Sequence, residues 1–347
     1  MPSRRLNLLL PLLVPAGTLV LTAGVLALAG FSPARGLGAL VDGSVGSADA
    51  ILSGTLVRAT PLLLTGLAVA IAFRAGLWNI GAEGQLLAGA GAATAAGLAV
   101  GGSVGVAALP MVLLAGAAAG AVVAGIAALL RSRFGVIEVI STIMLNFVAI
   151  HATGWLVRGP LQEPSAVYPQ SASLPTVARL PLMLPGTRLH WGVAIAMACA
   201  LLAGWGVRRL WAGFRLRAVG ANPLAAASAG MIDVAGVSTR VFLLSGALAG
   251  LAGAVELTGV THALYENFSP GWGYSAIAVA LLARLDPWLV IPSALMFGAL
   301  QAGGGAMQRD AGVPYALVGV IEALLILAVL AGAAFGASRR AEEGGGP

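Results

Sequence analysis

Ten apolar runs follow one another along the 347 residues, and this pattern constrains the fold more than any single motif. They occupy residues 6–30, 51–73, 77–100, 104–130, 136–157, 189–210, 237–259, 274–283, 289–307 and 313–335. A soluble domain carries roughly 25% charged residues, whereas here the share is 9% against 59% hydrophobic. So few charges cannot cover a water-facing surface, so lipid is the solvent over most of the chain. Backbone groups in lipid must be satisfied within their own segment, which selects helices, and about 20 residues cross the hydrocarbon core. The expectation is an all-α, polytopic transmembrane bundle of about ten spans over residues 1–340, built to pass a solute rather than to make or break bonds. A flexible tail follows at 341–347. The 49 glycines suit it, since small residues let helices approach closely in a bilayer.

The first run follows Arg4 and Arg5 as in a signal peptide, but 6–30 exceeds the 7–15 residues of a secretory apolar core and is read as a retained span. The 274–283 run is short, as expected of a broken or re-entrant helix lining a cavity. The 77–100 run opens with polar residues and can be partly re-entrant too. With the N-terminus inside and ten alternating spans, thirteen arginines fall inside, five outside, and Arg58 within a span. The positive-inside rule favours that orientation, with both termini cytoplasmic.

All 19 basic residues are arginine, and the net charge of +6 fits cytoplasmic loops better than a nucleic-acid surface. Without lysine there is no Walker A motif, which rules out a P-loop ATPase within this chain. Cys199, the single cysteine, sits in an apolar run and reads as a buried spacer. His151, His190 and His262 lack metal-ligand spacing, and no hydrolase motif is present. No metal and no cofactor is expected.

Two loops stand out. Residues 158–188 carry six prolines and lie outside, as a partner-docking surface or a passive cap. Residues 211–237 lie inside, with four arginines around their start. Asn222-Pro223 can open a short helix, asparagine as N-cap and proline at the first helical position, with Gly230 as its stop.

Polar residues inside spans must be compensated or face water. Asn79, Glu83 and Gln85 cluster beside Trp78, among glycines; a cavity wall and a hydrogen-bonded knot fixing a broken helix both fit. Glu138, Thr142 and Asn146 recur at i, i+4, i+8, so they share a helix face predicted to point into the bundle. Asn146 is the deeper pathway candidate and Glu138 the interfacial one. Trp272 and Tyr274 are placed at the outer end of the short helix as anchors or a gate. Glu256 and Glu322 are single embedded acids with no second acid or histidine at relay spacing.

FRAGLWNIGAEGQLLAGA, EVISTIMLN, FRLRAVGANPLAAASAGM, LSGALAGLAGAVELTG and GYSAIAVALLARLDP together resemble the permease family of bacterial ATP-binding-cassette importers that includes the ribose permease. The resemblance runs over about residues 59–329 and is greatest to the nucleoside-importer branch, whose binding protein is a lipoprotein of the basic-membrane-protein type. It implies a permease in the bacterial cytoplasmic membrane with three kinds of partner: a second permease, ATPase subunits that use the ATP, and an extracytoplasmic binding lipoprotein. It also implies that the loop is the coupling helix, which maps onto Arg217, Gly220, Asn222, Pro223, Ala226 and Gly230. Leu285-Asp286-Pro287 departs from the pattern, where a neutral residue is expected before the proline. A simple-sugar permease and an ion-coupled secondary transporter are the alternatives.

Overall fold

The computed structural model describes residues 20–100, 104–228 and 232–321, with 323–324, 327–328 and 331. Most of the first span, Gly230, Glu322 and the tail therefore lie outside the described residues. The described chain is helical, with no strand and only three isolated bridges. In order come α1 (20–28), α2 (Pro33–Val45), α3 (Leu56–Arg74), α4 (Ala82–Val100), α5 (Ala108–Phe134), α6 (Glu138–Arg158) and α7 (Gly192–Arg209). Then follow α8 (Trp211–Ala221), α9 (Pro223–Ser228), α10 (Val234–Glu256), α11 (Trp272–Leu282), α12 (Val290–Asp310) and α13, which begins at 315.

Among the described residues, six helical stretches are long and apolar enough to cross a membrane: Ala50–Arg74, Gly105–Phe134, Glu138–Arg158, Gly192–Arg209, Val234–Thr261 and Val290–Asp310. α4 has 19 residues but opens with Glu83 and Gln85, and α11 has only 11. Every apolar run overlaps a helix where it is described, but the boundaries move. α4 starts five residues after its run because residues 77–81 are not helical. α10 starts three residues before its run because Asp233 caps it, its Oδ1 accepting the Gly236 amide at 3.0 Å.

The chain divides into two units, Met1–Arg58 with Met296–Pro347, and Ala59–Leu295. The first has a small core of Leu26, Met307, Val313, Val318 and Ile321. There Thr55 donates to the Ser44 carbonyl at 2.7 Å, tying the π-helical turn Ala50–Thr55 to α2.

The second unit is organised around α4, α5 and α10, which meet through glycines. A Cβ at Gly120 would overlap the Gly246 carbonyl, one at Gly250 the Gly116 carbonyl, and one at Gly89 the Gly250 carbonyl. Backbones this close gain dispersion contacts that larger side chains would prevent, which is how helices associate where no hydrophobic force separates them from lipid.

Candidate central cavity

Residues 75–81 place the start of α4 deep in the bundle. Gly76 adopts a left-handed φ of +73°, and the chain turns back from the end of α3 without helical bonds. Ala75, Gly76 and Leu77 still donate to carbonyls at the end of α3, but further on side chains take over. Ile80 donates to Thr142 Oγ1 at 3.3 Å, its carbonyl accepts from Asn146 Nδ2 at 2.9 Å, and Gly84 donates to Asn146 Oδ1 at 2.8 Å. Asn146 lies near the middle of the 21-residue α6, so α4 begins level with mid-helix. Asn79 completes the knot. It exchanges hydrogen bonds with Gln85 at 3.0 and 2.9 Å and donates to Ser245 Oγ at 2.9 Å, which in turn donates to the Ala68 carbonyl at 2.7 Å.

α11 starts at the same level from the opposite direction. Residues 262–271 run inward without regular structure, and Gly273 packs so closely on the first turn of α4 that a Cβ there would overlap the Glu83 amide. Glu83 Oε2 accepts the Gly273 amide at 2.7 Å, and its carboxylate also accepts from Ser269. Two helix N-termini thus meet at one buried carboxylate, where both macrodipoles favour negative charge.

Above this floor lies a cavity of about 920 Å³. That falls in the range of roughly 300–1,000 Å³ typical of small-molecule sites. Glu83 and Tyr274 form its base, His151 and Trp155 of α6 one wall, and Phe268 and Ser269 the other. At its rim Arg158 and Glu266 pair at 2.5 Å, closing α6 against the 262–271 segment. The arrangement offers aromatic faces beside several hydrogen-bonding groups, which suits a neutral, polar ring compound.

The long proline-rich loop is stitched to this segment. Ser171, Leu174 and Leu180 donate to the carbonyls of Leu264, His262 and Thr258 at 2.7, 2.8 and 2.9 Å. Beneath it, His190 is fully buried between Gly192 and Gly259. Its Nδ1 accepts the Gly192 amide at 3.1 Å, so the proton of the neutral ring sits on Nε2, which has no partner. Burial, then the nearby His262 and Arg188, push its pKa down to about 4.

The residues singled out from sequence separate into groups. Glu83 and Tyr274 line the cavity. Asn79, Gln85, Thr142 and Asn146 form the knot beneath it, and Asn146 also hydrogen-bonds Tyr274. Trp272 is buried mid-bundle against Phe268 rather than at an outer interface. Trp78 stands away from the cavity, 54% exposed and against Phe73. Glu138 pairs with Arg131 at 3.5 Å. The sequence reading missed three contributors. His151 is exposed to the cavity, and Arg158 and Glu266 meet across 108 residues. His151 precedes Trp155 by four on α6, a spacing visible in the sequence but uninterpretable without knowing which face was open.

At the arginine-rich end, Asn222 caps α9 as expected, its Oδ1 accepting the Ala225 amide at 3.0 Å with Pro223 opening the helix. Arg217 donates to the Val207 carbonyl, and a Cβ at Gly220 would overlap the Arg74 carbonyl. α8 is therefore pressed onto the ends of α7 and α3. Ala226 is buried while Leu224 is 80% exposed, so α9 presents an open face. Asp286 ties the α11–α12 turn to α7 by pairing with Arg208 at 2.7 Å. Partial burial opposes its ionisation, but Arg208 and the Trp288 amide outweigh that and hold its pKa below the usual carboxylate value.

Residues 51–336 match the family described as the branched-chain amino acid transport system permease component. The chain is 38% identical over 336 residues to the guanosine ABC transporter permease protein NupP of Bacillus subtilis, covering 95% of this chain and 94% of that one. It is 42% identical over 287 residues to the glucose ABC transporter permease protein TsgB13 of Haloferax volcanii, covering 80% and 75%. A second Bacillus subtilis protein, the guanosine ABC transporter permease protein NupQ, is 29% identical over 258 residues, covering 73% and 81%. With these matches and its bundle of apolar helices, the chain belongs to this family of membrane permease components.

Proposed function

We propose that this chain is the permease subunit of an ATP-binding-cassette importer that carries nucleosides across the bacterial cytoplasmic membrane. The observation that carries the reading is the near end-to-end similarity to a guanosine permease. The cavity is compatible with it, offering the exposed rings of Tyr274 and Trp155 for a base and Glu83, Ser269 and His151 for hydroxyls. In this scheme about ten spans alternate with both termini cytoplasmic, and a binding lipoprotein delivers the solute above the Arg158–Glu266 rim. ATPase subunits push on α9, and the bundle rocks open inward. NupP and NupQ in one organism favour pairing with a second, different permease. The coupling roles of Arg217, Gly220, Asn222, Pro223, Ala226 and Gly230 belong to this proposal.

A simple sugar is the second reading, favoured by the 42% identity to a glucose permease. Uptake of labelled guanosine and of labelled glucose into proteoliposomes holding the full complex decides between them. ATP-dependent guanosine uptake supports the nucleoside reading, glucose uptake alone supports the sugar, and ion-driven uptake by this chain alone refutes both.

A further inference from the structure

A second concavity lies away from the cavity, at the arginine-rich end between α7, α8 and α10. Its volume is about 420 Å³ and its walls are aliphatic, with Leu202, Leu244 and Leu248 among them. Two charges interrupt them, Arg215 from α8 and Arg240 from α10. The ion pairs of Arg131, Arg158 and Arg208 involve neither of them, so neither charge is neutralised there. Arg215 Nε is moreover buried with no hydrogen-bond acceptor. A buried N–H without an acceptor is costly, so its occurrence beside an aliphatic groove asks for a ligand that is anionic at one end and apolar at the other.

We propose that this groove binds an anionic phospholipid, with an acyl chain along the aliphatic wall and the phosphate held by Arg215 and Arg240. Guanidinium groups match phosphate oxygens in geometry as well as charge. Basic pockets between helices near a membrane surface are suited to such headgroups. A net-negative headgroup is favoured over a zwitterionic one because two uncompensated charges face it. The lipid would join α7 and α10 to α8, the helix that leads directly into α9.

The chain supplies its own reporter, since its single cysteine, Cys199, lines the groove. The experiment takes the purified full chain in detergent with dioleoyl phosphatidylglycerol, dioleoyl phosphatidylcholine or inorganic phosphate. It reads bound lipid by native mass spectrometry and the rate of Cys199 modification by N-ethylmaleimide. Phosphatidylglycerol should stay bound and slow modification at least fivefold. Arg215→Gln with Arg240→Gln should weaken its binding at least tenfold. Gly206→Leu should also abolish binding while leaving both arginines. Gly206 lines the groove, and a Cβ there meets only the tip of Leu210 at 3.6 Å, so a side chain can start from it without meeting backbone. Equal protection by phosphatidylcholine would reduce the site to a greasy groove and overturn the proposal. Binding of inorganic phosphate that displaces no lipid, or no protection by phosphatidylglycerol, would overturn it too. The wild-type comparison of the two lipids decides the matter even if a variant fails to fold.

Discussion

Glu83 Oε2 accepts the amide of Gly273 at 2.7 Å, joining the first turns of two helices 190 residues apart in the chain. The carboxylate satisfies one free amide of the α11 N-terminus from its own place in the first turn of α4. The same side chain forms the base of the 920 Å³ cavity, so the support of the site and its floor are one residue.

Replacing Glu83 by leucine leaves the Gly273 amide without an acceptor in a buried place. The expected loss is about 1–3 kcal/mol, with uptake abolished. Glu83→Gln keeps an acceptor but gives up the charge at both helix ends, and should cost about 0.5–2 kcal/mol. Thermal unfolding in detergent and uptake by the reconstituted complex check this. Equal stability of the leucine and glutamine variants would contradict it.

The glycine contacts of α5 and α10 make a second prediction. Gly120→Ala drives a methyl into the Gly246 carbonyl, which is backbone and cannot rotate away. The loss should be roughly 1–3 kcal/mol, typical of overpacking. Gly38→Ala in α2 meets nothing within 4 Å and should be neutral or stabilising by up to about 1 kcal/mol. Unfolding midpoints of the two variants should move in opposite directions or differ clearly in size.

His190 gives the stability of the loop-covered end a pH dependence. Its pKa is pushed down to about 4 in the folded chain, from an ordinary value of 6.5. Both states are neutral above 6.5, so nothing is lost there. Between 6.5 and 4 the unfolded chain binds the proton more readily, and stability falls with pH; below 4 both are protonated and the loss levels off. From pH 7 to pH 5 the expected drop is about 2 kcal/mol. His262, whose pKa is lowered chiefly by burial and then by Arg179, acts in the same direction. In His190→Asn the amide oxygen can still take the Gly192 hydrogen, and the slope should shrink. A wild-type midpoint that does not change from pH 7 to 5 would remove the prediction.

The α9 arm should matter for coupling rather than for insertion. Asn222→Lys removes the cap on the Ala225 amide and places a charge at a helix start, costing about 1 kcal/mol locally. Binding-protein-stimulated ATP hydrolysis by the assembled complex should be lost while membrane abundance is kept. Normal stimulation would detach α9 from the energy supply.

The sequence by itself determined the solvent and the local structure. A chain with 9% charge must present lipid-compatible helices, and the apolar runs mark them to within a few residues. The cap at Asn222 was legible because its partners lie within three residues. So was the buried face of Thr142 and Asn146, because helical periodicity needs no tertiary information. Only the tertiary structure decided which polar residues support the fold and which face the cavity. Asn79 and Glu83 look alike in sequence, but one is consumed by Gln85 and Ser245 and the other reaches Gly273 beneath open space. His151 and the Arg158–Glu266 rim were missed for the same reason. Whether a polar group in a bilayer is spent on a neighbour or left for a solute depends on what packs against it, and those partners come from helices far along the chain.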